Sequence, residues 1–138
     1  MARAHKNKTF ATLLASVLGG IGAHRFYVYG KRDFWAWVHL VTLPLSVLAI
    51  ASASARPWLF LGMFFVISVL AGFLEALVIG LTPDEKWDAR HNPNSAQTSV
   101  SGWPVVVLII ATMFAGTTGL IAVIARTFDL LFTGGAYG

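Results

Sequence analysis

Four apolar blocks separated by short polar stretches organise this chain. The runs 34–55 and 103–125 carry no formal charge, and 57–74 is broken only at its start, by Pro57, before Glu75 and an apolar continuation to Leu81. Each is near the ~20 residues a helix needs to cross a ~30 Å hydrocarbon core. The pattern predicts transmembrane helices over about 34–55, 57–81 and 103–130. The block 9–23 is shorter, about 22 Å as a helix. It fits a short span, a re-entrant piece or the apolar part of a signal peptide, and Arg25, Lys31 and Arg32 directly after it speak against the last. The expected fold class is all-α: an integral membrane helical bundle of three transmembrane helices plus a short N-terminal membrane helix.

The polar stretches fit between these elements. Residues 24–33 form a connection and 54–57 a tight turn, with Pro57 acceptable in the first turn of the next helix. The loop 82–102 opens with a capping hydroxyl at Thr82, Pro83 at the first helical position and Glu85 at the third, predicting a surface helix to about Arg90. Asn92-Pro93-Asn94 ends it, and 131–138 reads as a frayed tail. Trp35, Trp37, Trp58 and Trp103 stand at predicted helix starts, where an amphipathic ring prefers the headgroup level.

Composition sharpens the membrane assignment. Hydrophobic residues make up 57% of 138 and charged residues 12%, against roughly a quarter charged in soluble domains. The length fits one domain at most. A net charge of +4 and a pI of 9.9 could suggest nucleic acid. The basic residues flank apolar segments instead of forming one patch, so a nucleic-acid partner is excluded. Absence of cysteine rules out disulfides and thiol chemistry.

Small residues recur at helical spacing: Ala11, Ala15 and Gly19 in the first block, Ser68, Gly72, Ala76 and Gly80 in the third, and Ala111, Ala115 and Gly119 in the fourth. Lipid offers little hydrophobic drive between helices, so close approach through small residues carries much of the packing. The second helix has a more polar seam of His39, Thr42, Ser46, Ala49 and Ala53. Together the seams argue for a compact bundle, a dimer contact, or both.

His39 and Glu75 are ionisable groups inside predicted spans, which makes them functional-site candidates. They lie on antiparallel helices, both about 8–9 Å in from the same membrane face. Arg25, in the connection on that face, is within reach of Glu75. A carboxylate this deep is costly unless paired or protonated. Three readings stay open: an ion pair of Arg25 or His39 with Glu75 that sets helix register, a proton- or ion-coupled site, or a Glu75 without a partner. His24, His39 and Glu75 match no metal-ligand signature, and neither a metal nor a cofactor is expected.

Charge also bears on topology. If all four blocks cross, the ten basic residues divide evenly between the two faces. If the first block dips in and returns, all but Arg56 and Arg126 gather on one face, a strong positive-inside bias. Either way, the 24–33 connection and the 82–102 loop are expected on the cytoplasmic face.

The run Lys6-Asn7-Lys8-Thr9-Phe10-Ala11, then Leu18-Gly19-Gly20-Ile21-Gly22-Ala23-His24-Arg25-Phe26-Tyr27 and Gly30-Lys31, resembles the two-transmembrane (TM2) domain family of small membrane proteins. The resemblance implies an Arg-Phe-Tyr motif at the bilayer interface, built on Gly19, Gly20, Gly22, His24, Arg25, Phe26, Tyr27, Gly30 and Lys31. It also implies Glu75 as counterpart of an aspartate in the family's later hydrophobic segment. The resulting organisation is a TM2-like membrane unit over 1–81, a polar loop over 82–102 and an additional transmembrane helix over 103–130. The stretch between Gly30 and Glu75 is longer than in compact members, and the last helix lies outside the family core. The resemblance supplies no activity. The leading expectation is a non-enzymatic assembly or interaction component of a bacterial inner membrane, its partners being membrane lipids, a second copy or another membrane protein. The alternative is a small transporter, channel or lipid-moving protein using His39 and Glu75.

Overall fold

A computed structural model describes residues 4–53 and 55–137. Arg3 of the basic tail, Ser54 of the turn and Gly138 of the final tail lie outside the described residues. The helices follow as α1 (Lys8–Leu18), a 3-10 turn (Gly19–Ile21), α2 (Ala23–Tyr29), α3 (Phe34–Ser52), α4 (Trp58–Leu61), α5 (Met63–Leu81), α6 (Asp84–His91) and α7 (Trp103–Phe132). Three of them, α3, α5 and α7, are long and apolar enough to cross a membrane. The protein is an all-helical integral membrane protein.

The first block does not run to Ala23 as one helix. Asn7 starts α1 by accepting the Phe10 N–H at 3.0 Å. The helix stops at Leu18, tightens through Gly19–Ile21 and reverses at Gly22, which has φ +73°. A Cβ there would lie 2.9 Å from the Ala36 carbonyl oxygen and from His39 Cβ. Position 22 therefore demands glycine twice over, for its left-handed backbone and for its close approach to α3. The expected plain connection from His24 is helical as far as Tyr29, because α2 carries the chain back out. Gly30, at φ +84°, ends it.

Other boundaries shift for local reasons. The helix expected over 57–81 breaks at Gly62, whose N–H donates to the Trp58 carbonyl at 2.7 Å, leaving α4 as a separate turn. The second helix stops at Ser52, short of residue 55. Thr82 does not cap α6: its hydroxyl donates back to the Val78 carbonyl at 2.6 Å, completing the last turn of α5 instead. With Pro83 ahead of it, α6 starts at Asp84, and Asp84 and Glu85 sit in a first turn that favours anions. Leu131 and Phe132, expected in the frayed tail, are helical. At about 45 Å, α7 exceeds the ~30 Å core and must tilt or protrude.

Small residues set how the helices meet. α1 runs antiparallel to α5, with Thr12 beside Gly80 and Gly19 against Gly72. Ala11 and Ala15 are fully buried between them, together with Ser68, Gly72, Ala76 and Gly80 of α5. The seams of these two helices therefore face each other. On α7 the expected seam does not pack this way: Ala111 and Ala115 are exposed, and Gly119 has only Leu70 Cδ2 within reach, at 4.0 Å. Val105, Thr112 and Gly116 face the bundle in their place, Thr112 sharing a 2.7 Å hydrogen bond with Ser16 and Gly116 lying against Phe73. Of the second helix's polar seam, His39 and Ser46 face α5, whereas Ala49 is half-buried.

The amino-terminal tail returns to the end of the bundle where α5 finishes. Trp87 Nε1 of α6 donates to the Lys6 carbonyl at 2.9 Å, and the Asn7 N–H donates to the Tyr27 hydroxyl at 2.8 Å. The buried Lys8 ammonium bonds the Thr82 carbonyl and Asp84. The hairpin turns at Gly20, against Phe65 and Val69, and Val69 is twelve residues from Leu81, or about 18 Å deep. The first segment thus dips in and returns, the arrangement that gathers all the described basic residues but Arg56 and Arg126 on one face. Lys6, Lys8, Arg25, Lys31, Arg32, Lys86 and Arg90 share one end, and Arg56 and Arg126 the other. The positive-inside rule predicts a cytoplasmic placement for the crowded end.

Candidate functional site

The hairpin delivers two adjacent side chains of α2 to the carboxylate of α5. Arg25 Nη1 donates to Glu75 Oε1 at 2.7 Å. His24, 1% exposed, places Nε2 against the other oxygen, Oε2. Arg25 also holds Asp33, through Nε at 2.7 Å and Nη2 at 3.3 Å. Asp33 is the cap of α3, accepting the Ala36 N–H at 2.9 Å, so one carboxylate starts a membrane helix and fixes the arginine. The Arg25 hydrogen bond holds the Asp33 carboxyl below the usual carboxylate range.

His39 stands beside this pair without bonding it. Its Nε2 is 3.9 Å from Glu75 Oε1, beyond hydrogen-bond range. Its Nδ1 meets Ser68 Oγ at 2.7 Å, and Ser68 donates onward to the Gly20 carbonyl at 2.6 Å. A hydroxyl has one proton. With that proton on Gly20, His39 Nδ1 is the donor to Ser68, and in the neutral ring Nε2 is then a free acceptor. His24 makes the complementary choice: the proton on Nε2 serves Glu75, and Nδ1 is the one buried side-chain atom without a partner among the described residues. The two rings meet edge to face, 6.1 Å apart.

The remaining motif residues build the frame. Gly19 and Gly20 form the turn whose carbonyl Ser68 holds. Phe26 packs edge-on against Trp37 at 5.3 Å and Tyr27 against Phe10 at 5.1 Å. The carbonyl of Lys31 accepts from Trp37 Nε1 at 2.8 Å, and its side chain is exposed. Arg25 lies 5.2 Å over the Tyr29 ring. The structure therefore brings Arg25 and Glu75 into contact and keeps His39 one step away. His24 and Asp33 are the members that sequence reasoning left out of the cluster. The available signals were an ionisable residue next to Arg25 and an acidic residue at a helix start.

Above this site, the 82–102 loop is tied down by two carboxylates. Asp88 accepts from the Ser99 N–H and hydroxyl, both at 2.6 Å, and from Asn92, which pull it down to about 2. Burial pushes Asp84 up, but hydrogen bonds from Lys8 and Ser101 outweigh it and hold the carboxyl below its ordinary range.

Chemically the cluster is a charge network beside a groove of about 560 Å³ between α3 and α5, lined by Arg25, His39, Ser68 and Glu75 at one end and by Val38, Phe64 and Ile67 along its length. Among the described residues no three His, Asp or Glu side chains are placed to hold a metal ion. Arg25 donates to Glu75 Oε1, the oxygen nearest His39.

No curated protein and no solved structure matches this chain. Residues 4–52, which cover the tail, the α1–α2 hairpin and α3 and supply His24, Arg25, Asp33 and His39, match the family model of the TM2 domain, while Ser68 and Glu75 come from the chain beyond it.

Proposed function

We propose that the protein is a non-enzymatic assembly component of a bacterial-type inner membrane, and that α7 carries the assembly contact to a second copy. The observation behind this reading is the outward face of α7. Ala111, Ala115, Thr118, Ala122 and Ala125 are all exposed, and their 4-3-4-3 spacing puts them on one side of the helix. Helices in lipid associate where small side chains let backbones approach, and this face has no such partner among the described residues. The hydrogen-bond network of His24, Arg25, Asp33 and Glu75 supports a register-setting role for that cluster, since its members engage each other.

The absence of native cysteine makes the test direct. Single cysteines at Ala111, Ala115, Thr118, Ala122 and Ala125 are expected to give disulfide dimers in native membranes. Cysteines at Met113, Leu120 and Ile124, exposed on another side of α7, are expected not to. Equal crosslinking on both sides, or none on the small-residue face, would refute self-assembly through α7.

A further inference from the structure

The groove between α3 and α5 has the shape and polarity of a lipid site. Its wall is apolar along Val38, Phe64, Ile67 and Ala71, and its rim residues Trp35, Phe64 and Ile67 are more than half exposed, so it opens sideways toward the bilayer. Its volume, about 560 Å³, lies within the ~300–1,000 Å³ typical of small-molecule sites. Its polar end is not generic.

Three properties of that end define a ligand. Arg25 carries five N–H donors; Nε, Nη1 and Nη2 each give one to Asp33 or Glu75, leaving two for an anionic oxygen. Glu75 accepts from His24 and Arg25 and retains unused lone pairs. In the neutral ring, whose proton Nδ1 gives to Ser68, His39 Nε2 presents a free lone pair. One guanidinium also faces two carboxylates, so the formal charges leave a negative excess.

From this geometry we infer that the groove binds one membrane phospholipid with a primary-ammonium headgroup. One of its two acyl chains lies between α3 and α5, its phosphate on the unused N–H groups of Arg25, and its ammonium on Glu75 and His39 Nε2. A phosphatidylglycerol headgroup can donate hydroxyls to Glu75 and His39 but brings a net negative charge, and no cation, to a site that already has a negative excess. A trimethylammonium headgroup has the charge but no N–H to donate.

The test is native mass spectrometry of the purified full chain, titrated with phosphatidylethanolamine, phosphatidylglycerol and phosphatidylcholine of identical acyl chains. One phosphatidylethanolamine is expected to be retained about tenfold more tightly than either other lipid, the worth of one charge-assisted hydrogen bond. Glu75→Gln should remove most of that preference. Ile67→Trp, at an exposed rim position that leaves the polar cluster intact, should weaken phosphatidylethanolamine binding by obstructing the chain. Equal retention of the three lipids would overturn the headgroup assignment, and full binding by a folded Ile67→Trp variant would overturn the groove. Neither outcome depends on whether α7 self-associates.

Discussion

The contact between Gly19 and Gly72 gives one substitution opposite effects at two positions of the same protein. A Cβ on Gly72 would stand 2.6 Å from the Gly19 carbonyl carbon and 2.7 Å from its Cα. These are backbone atoms and cannot rotate away. Reaching ordinary contact at 3.4 Å requires α1 and α5 to part by about 0.8 Å, and a gap of ~0.5–1 Å already forfeits a quarter to a half of each van der Waals well along the seam. Overpacking of this kind costs about 1–3 kcal/mol, while replacing a helical glycine by alanine returns up to about 1 kcal/mol of propensity. Gly72→Ala is therefore expected to destabilise the bundle by about 1–2 kcal/mol. At Gly119 the nearest atom is Leu70 Cδ2 at 4.0 Å, so Gly119→Ala meets no clash and is expected to be neutral or stabilising by up to about 1 kcal/mol. Titrating bicelle-reconstituted protein with sodium dodecyl sulfate, and following helix loss by circular dichroism, measures both. A Gly72→Ala protein as stable as the wild type, or both variants shifting in the same direction, would refute the close-packed seam.

Two further outcomes test the hairpin. Glu75→Gln should cost about 1–3 kcal/mol in the same titration, because Arg25 keeps Asp33 but His24 loses a charged acceptor. In a double-mutant cycle with Arg25→Gln the pair should cost less than the sum by about 0.5–3 kcal/mol, whereas strict additivity would contradict direct contact. For topology, single cysteines at Ala4, Tyr29 and Ser95 should share one accessibility to an impermeant maleimide in intact cells, and a cysteine at Ala55 should show the other. Labelling of position 4 together with 55 would mean that the first segment crosses the membrane.

What the amino-acid sequence determined by itself is what depends on short stretches of chain. Uncharged blocks near the length of a bilayer core specify three spans, because hydrocarbon excludes charge and demands internally bonded backbone. The spacing of small residues marks a face on each helix, and the Gly-Gly-x-Gly run marks a place where helix is weak. Depth along a helix is also local, which is why residue counts place His39 and Glu75 at one depth and Arg25 within reach, without choosing between them as partner. Azimuth is not local. His39 lies at nearly the right depth, but its ring turns toward Ser68 and leaves Glu75 to His24, which reaches it only because residues 23–29 coil into a helix. The glycines themselves permit the sharp reversal at Gly22, but the nearness of Ala36 and His39 there comes from α3, a separate element. The seams divide the same way: α1 and α5 bury theirs against each other, while α7 leaves Ala111 and Ala115 exposed. Periodicity names a face, and only the arrangement of the other helices decides what that face meets.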